Sequence, residues 1–196
     1  MITRLSQKVS LFFVANKVIE QEDEQYYRYG LEVLISTSLS IISVIIISII
    51  TNRFFETLLY LAGFIPLRTV AGGYHAKTHL RCYLVLIFSY LIFLSIIFFL
   101  PLAAVMYLGY AAIVLATVLI LVLAPIDDPN RPFTDDERQK FKKRSRLALL
   151  VYIAAAVAVS FLSLQLSLCV GLGMLTTGLA LLASAIKNKI LRSTVS

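Results

Sequence analysis

The chain has 196 residues, of which 59% are apolar and only 15% are charged, and its net charge is +7 at neutral pH. A water-soluble domain keeps about 25% charged residues to cover its surface, so the composition excludes an ordinary soluble domain. The charge deficit falls in long apolar runs such as 33–50 and 82–124, which are long enough to cross a bilayer. The excess of basic residues forms no stripe on a soluble domain. We therefore expect a membrane protein without a nucleic-acid partner.

An amphipathic helix is predicted within residues 1–30, before the first long apolar run. Apolar residues recur there near helical spacing, with basic residues between them, at Ile2, Leu5, Val9, Phe12 and Phe13. This pattern is typical of a helix that lies in the membrane interface. Either an anchor that orients the chain or a contact surface for a membrane-bound substrate would fit it.

The remaining residues, 31–196, are predicted to form six transmembrane helices. The predicted spans cover about 31–50, 54–67, 82–100, 102–124, 147–165 and 168–186. Pro66, Pro101 and Pro125 mark boundaries between them, because the backbone donor that proline lacks costs least at a helix end. The second span is the shortest: about 14 residues reach only about 21 Å as a helix. A re-entrant loop is the alternative there.

The distribution of basic residues favours a second segment that spans the bilayer. With six spans, Arg53 is the only one of the 18 Lys and Arg residues on the side opposite the N-terminus. The positive-inside rule then predicts that both termini and the 68–81 loop are cytoplasmic. The expected fold is all-α: a polytopic protein of the cell membrane, with six transmembrane helices preceded by an interfacial amphipathic helix.

Reactive side chains are concentrated in the segment 68–82, at the cytoplasmic end of the third predicted span. It contains both histidines and one of the two cysteines of the chain. His75 could serve as the base for a Cys82 nucleophile. Donors for a developing oxyanion could come from the Arg68 guanidinium or from backbone amides around Gly72 and Gly73.

The helical geometry of this segment is open. On one continuous helix, His75 and Cys82 lie about 10.5 Å apart along the axis, which disfavours direct contact. If Thr78 caps the third helix instead, Cys82 falls in its first turn. The helix dipole, Lys77 and Arg81 would then all favour the thiolate.

Three alternatives compete with cysteine chemistry. His75, His79 and Cys82 have i, i+4, i+7 spacing and could be ligands of a metal-dependent membrane protease, although a fourth ligand is not evident. The same residues could form a purely structural cluster in the interface. A small transporter or channel would need ionisable residues at mid-span depth, whereas Glu56 lies near the end of its segment. Cys169, among apolar residues of the sixth span, is predicted to serve packing.

Two motifs carry a resemblance to a known family. The first combines an arginine, a Gly-Gly pair and a His-Ala pair with a cysteine seven residues after the histidine: Arg68, Gly72, Gly73, His75, Ala76 and Cys82. The second is the run 124–127, followed by Asn130-Arg131-Pro132 and a basic stretch. With the hydropathy profile, they resemble the accessory gene regulator B (AgrB) family over nearly the whole chain. This family comprises membrane peptidases of Gram-positive peptide signalling.

The resemblance implies a cysteine endopeptidase that needs no cofactor or metal. Such an enzyme cleaves a small amphipathic propeptide of the AgrD type at the cytoplasmic membrane face, through an acyl-enzyme thioester. Capture of the acyl group by a side chain of the peptide then gives a cyclic thiolactone or lactone. By this resemblance Cys82 is the nucleophile and His75 the general base, Arg68, Gly72 and Gly73 support the site, and a homodimer is reasonable.

Two further sets of residues are weaker candidates for roles in such a site. Asp127 and Asp128 reach the correct membrane face and are candidates to orient His75. The basic run 138–146 could attract the acidic tail of a precursor, with Arg138, Lys142 and Lys143 as candidate contacts. A simple positive-inside anchor explains the same run equally well.

Overall fold

The computed structural model describes residues 2–71, 79–126 and 133–195, except for the side chains of residues 79, 81, 82, 102 and 190–195. The described ranges consist of helices joined by short non-helical segments and contain no strand, which confirms the all-α prediction. Seven α-helices are described, with a short 3-10 turn at Gln21–Asp23 between the first two. They are α1 (Ile2–Ala15), α2 (Glu24–Ile50), α3 (Phe54–Ala71), α4 (His79–Phe99), α5 (Leu102–Leu123), α6 (Asp135–Ser160) and α7 (Leu164–Val195).

Four stretches of the described helices are long and apolar enough to cross a membrane: Gln21–Ile50, Phe54–Ala71, Ala103–Leu123 and Leu164–Lys189. A fifth, Tyr83–Phe99, is apolar but shorter. The apolar part of α6 follows a basic first half of the same helix. Several membrane-spanning helices are therefore supported, while the number six remains a prediction.

The end of the second segment differs from the prediction. Helix α3 has 18 residues and continues through Pro66 to Ala71, so the boundary predicted at Pro66 is wrong. Such a helix is about 27 Å long, close to the thickness of the hydrocarbon core of a bilayer. Proline is tolerated inside membrane helices because neighbouring groups satisfy the freed backbone. The Thr69 hydroxyl donates to the Pro66 carbonyl (2.7 Å) in the turn that follows.

The other two prolines lie where they were predicted. Pro101 is the N-cap of α5, and Pro125 follows the end of that helix. The turn between the last two helices, in contrast, is earlier than the break predicted between Gln165 and Leu168. The structure places it at residues 161–163, and the amide of Leu166 donates to the Ser163 hydroxyl (3.4 Å), which caps α7. Ser163 therefore caps the start of α7, and Gln165 and Ser167 lie inside this helix and do not mark a break between helices.

The chain forms two compact units. The first contains α1, α2 and the beginning of α4, as far as Leu91. In it α1 packs on α2 through Ser6 and Ser10, both fully buried, and the Ser10 hydroxyl donates to the Glu24 carboxylate (2.6 Å). Leu5 and Phe12 of α1 stay exposed. An exposed apolar face beside basic residues fits the predicted interfacial role of this helix.

The second unit contains α3, the rest of α4, and helices α5 to α7. Its centre is a close approach of α3 and α7. A Cβ atom on Gly63 would lie 2.6 Å from the Val170 carbonyl oxygen, and one on Gly173 would collide with the carbonyl of Tyr60. The Thr177 hydroxyl donates across the same interface to the carbonyl of α3 at Phe64 (3.2 Å). Small residues and hydroxyls are the usual means by which membrane helices associate.

Candidate functional site

The predicted nucleophile belongs to a described helix. Cys82 is the fourth residue of α4 as described, although its side chain lies outside the description. His75, Gly72 and Gly73 fall in the range 72–78, which the structure does not describe. The contact between His75 and Cys82 therefore remains a prediction. The same holds for the metal-site alternative, since it depends on the side chains of His75, His79 and Cys82.

Arg68 lies in the last turn of α3 and is partly buried. Its guanidinium sits over the ring of Phe64, 5.4 Å from the centroid. Phe64 is buried in the unit's core, so this cation–π contact ties the guanidinium to a rigid ring one helical turn away. The i, i+4 spacing of Phe64 and Arg68 was a sequence signal that could have revealed the contact.

The two sequence motifs are in contact through residues that the structure describes at the edge of each. The amide of Ile126 donates to the carbonyl of Ala71 (3.3 Å), so the end of α3 pairs with the segment that follows α5. Ala71 is fully buried and Ala124 nearly so, in one cluster with Leu67, against which Ile126 packs. Residues just before Gly72 and just before Asp127 are thus neighbours. A backbone contact of this kind leaves no signal in the sequence.

The basic run lies on the first half of α6. Thr134 and Glu137 form a capping box at its N-terminus, in which the Glu137 amide donates to the Thr134 hydroxyl and the Thr134 amide to the Glu137 carboxylate. The three candidate substrate contacts, Arg138, Lys142 and Lys143, are all exposed. The buried side of this half faces inward through Ser145. The helix therefore presents its cations to the surroundings, directly next to its apolar half.

Capping and stacking fix where this basic surface begins. Phe133 stacks on Phe141, two turns into α6, with ring centroids 4.9 Å apart. This contact holds the chain that enters the helix against its side, much as a hydrophobic staple does. The Thr-x-x-Glu pattern at 134–137 is a sequence signal that could have located the start of this helix.

Cys169 has the packing role that was predicted for it. It is a free, fully buried cysteine on α7, and its Sγ donates to the Gln165 carbonyl (3.2 Å). Glu56, the acidic residue on which a transporter reading would depend, lies in the first turn of α3. It forms an ion pair with Arg53 (2.8 Å). Neither residue has the setting of a nucleophile or of a mid-span ion site.

Comparison with known proteins gives a consistent result. The family model of accessory gene regulator B matches residues 6–183. An AgrB-like protein of Clostridium perfringens is 28% identical over 159 residues, which cover 78% of this chain and 74% of the relative. An AgrB-like protein of Listeria innocua is 23% identical over 170 residues, covering 85% and 82% of the two chains.

A further relative has a different name. Protein FsrB of Enterococcus faecalis is 27% identical over 171 residues, which cover 84% of this chain and 68% of the relative. No solved structure matches this chain. The family match spans most of the sequence, including both motifs and all seven described helices in whole or in part. The chain therefore belongs to the AgrB family, whose members take part in the processing of quorum-sensing peptides.

Proposed function

We propose that this protein is a membrane-embedded cysteine endopeptidase that cleaves an AgrD-type propeptide and cyclises the product to a thiolactone or lactone. The proposal rests on the match of this chain to the AgrB family over residues 6–183, together with the motif from Arg68 to Cys82. If Thr78 caps α4, Cys82 lies in the first turn of the helix, where the positive end of the helix dipole favours a thiolate.

The proposed reaction has two acyl transfers. His75 takes the proton of Cys82, and the thiolate sulfur attacks the scissile carbonyl. When the C–N bond breaks, His75 returns the proton to the leaving amine, and the N-terminal part of the peptide remains on Cys82 as a thioester. A thiol or hydroxyl of the peptide then gives its proton to His75, attacks that thioester, closes the ring and expels the Cys82 thiolate.

Stabilisation of the oxyanion is assigned to donors near the nucleophile in sequence. The candidates are the Arg68 guanidinium and the backbone amides of Gly72 and Gly73. Donors fixed in place before the reaction cost no reorganisation, which is why preorganised oxyanion sites are effective. The contact of Arg68 with Phe64 supports such a role, because it restrains a side chain that would otherwise sample many rotamers.

The test is the detection of the acyl-enzyme. Purified protein in liposomes is mixed with a panel of synthetic amphipathic precursor peptides and quenched in acid, and the intact protein is analysed by mass spectrometry. We expect an adduct with the mass of the N-terminal peptide fragment on Cys82, removable by hydroxylamine. Cleavage that proceeds without an adduct and is stopped by a metal chelator would instead support the metal-dependent alternative.

The basic surface of α6 is proposed to attract the acidic tail of the precursor. Replacement of Arg138, Lys142 and Lys143 by glutamine should raise KM about tenfold at low salt and much less at high salt, because screening weakens such attraction. The matched control carries the same change in charge, with glutamine at Arg4, Lys8 and Lys17 of the N-terminal region, and should change KM less. Equal effects at both salt concentrations would contradict the attraction and favour a positive-inside anchor.

We also propose six spans in the cell membrane, with both termini and the catalytic segment in the cytoplasm. The distribution of basic residues supports this topology, since Arg53 is the only one of the 18 Lys and Arg residues on the opposite side. In sealed right-side-out vesicles, an impermeant thiol reagent should label Asn52→Cys but not Ser196→Cys. The opposite pattern would refute the topology.

A homodimer, suggested by the family resemblance, would appear as a crosslinked pair in the same vesicles.

A further inference from the structure

A chain of two hydrogen bonds connects the beginning of α4 to α2. The Tyr83 hydroxyl donates to the Ser43 Oγ (3.2 Å), and the Ser43 hydroxyl donates in turn to the Leu39 carbonyl (2.9 Å). Both helical segments belong to the first compact unit. Each hydroxyl in the chain donates once, and hydrogen bonds in series strengthen one another in surroundings of low dielectric.

The packing around this contact is loose. Among the described side chains of α4 that precede Tyr90, none is fully buried, and Leu80, Leu84 and Val85 are exposed. Contacts between aliphatic side chains and lipid have no directional preference, so before the buried Tyr90 the apolar side chains do little to fix the rotation of α4. A hydrogen bond between two hydroxyls is directional. The Tyr83–Ser43 contact is therefore a restraint that can hold this rotation two turns before Tyr90, next to Cys82.

The rotation matters because Tyr83 is the neighbour of the proposed nucleophile. Successive residues of an α-helix are displaced by about 100° around its axis. When the hydroxyl of Tyr83 is held against α2, the angular position of Cys82 around α4 is fixed as well. A small change in that angle would displace a nucleophile from its base, and displacements of about 1 Å can lower rates a hundredfold.

We propose that Tyr83, held by Ser43, is a positioning residue for Cys82. The inference rests on the proposed function in assigning Cys82 as the nucleophile, and it adds a determinant that the family motif does not include. Tyr83 does not take part in bond making. It acts through the orientation of the helix that carries the reacting thiol.

The experiment removes either end of the hydrogen bond and keeps the ring or the backbone. Tyr83→Phe and Ser43→Ala are compared with Ser43→Thr, which retains the hydroxyl, and with Tyr107→Phe, in which the hydroxyl of an exposed tyrosine on α5 is removed. The first readout is kcat and KM for cleavage of a synthetic precursor peptide. The second is the alkylation rate of Cys82 by N-ethylmaleimide in a Cys169→Ala background, where Cys82 is the one remaining cysteine.

We expect Tyr83→Phe and Ser43→Ala each to lower kcat about tenfold with KM little changed, and to alter the alkylation rate. Because both variants break one interaction, the double variant should be no worse than either single variant. Ser43→Thr and Tyr107→Phe should behave like the parent, and thermal unfolding should be similar in all variants.

Two results would overturn the inference. One is an unchanged kcat and alkylation rate in Tyr83→Phe. The other is losses in Tyr83→Phe and Ser43→Ala that multiply in the double variant, which would show that the two residues act independently. Failure of the proposed function is recognised separately, by cleavage that persists in Cys82→Ala. The alkylation comparison still tests the restraint in that case, since it needs no substrate.

Discussion

Replacement of Cys82 by alanine is expected to lower peptide cleavage by at least about 10³-fold, because the acyl-enzyme can no longer form. His75→Ala should lose a similar factor, and the double variant should be little worse than either single variant. Residues that act as one catalytic unit show this non-additivity. The measurement is the initial rate of product formation in proteoliposomes, followed by mass spectrometry.

Cys169→Ala is the matched control for this prediction. Cys169 is buried on α7 and its Sγ is bonded to a backbone carbonyl of its own helix, so it has neither an exposed thiol nor a role in the proposed chemistry. The variant loses one buried sulfur atom and should keep most of the cleavage rate. Full activity of Cys82→Ala would refute the cysteine mechanism, and with it the assignment of His75 as the base.

The second large effect is expected on the stability of the fold rather than on catalysis. Gly173→Ala should greatly reduce the amount of folded protein, because the added methyl group meets the backbone of α3 at Tyr60, Gly63 and Phe64. Backbone atoms cannot move aside as a flexible side chain can, so the helices must separate. Overpacking of a close interface costs about 1–3 kcal/mol and sometimes more. Thermal unfolding in detergent, followed by circular dichroism, measures the loss.

Gly30→Ala provides the matched control. This glycine lies within α2, and a Cβ atom there would have no neighbour within 4 Å. Alanine favours a helix over glycine by about 1 kcal/mol, so this variant should be as stable as the parent or more stable. If Gly173→Ala unfolded at the same temperature as Gly30→Ala, the close approach of α3 and α7 would be wrong.

The sequence was a good guide to helices that are set by composition and proline. Apolar runs identified the helical segments, and Pro101 and Pro125 marked both ends of α5 correctly. Pro66 led to a wrong prediction of the end of α3, because inside a membrane helix the missing backbone donor can be tolerated. The turn at 161–163 was missed because Ser163 caps a helix within a region of nearly continuous hydropathy, where polarity alone gives no boundary.

Only the residues of the candidate site and their spacing along the sequence could be predicted. The spacing of His75 and Cys82 and the resemblance of the motif were visible in the sequence. The pairing of Ala71 with Ile126 and the hydrogen bond of Tyr83 with Ser43 were not. The first is a contact of backbone atoms, and the second joins common residue types about forty positions apart, so neither leaves a pattern that periodicity or composition can detect.

The close approach of α3 and α7 also constrains how the protein is made. Of the four described stretches long enough to cross a membrane, the one in α3 is the least apolar, and its tightest partner, α7, is synthesised well after it. Until α7 is synthesised, the backbone surface around Gly63 and Tyr60 has no helix to cover it. We therefore expect α3 to depend on the membrane insertion machinery during translation. A chain that stops before α7 should be a preferred target for quality-control proteolysis.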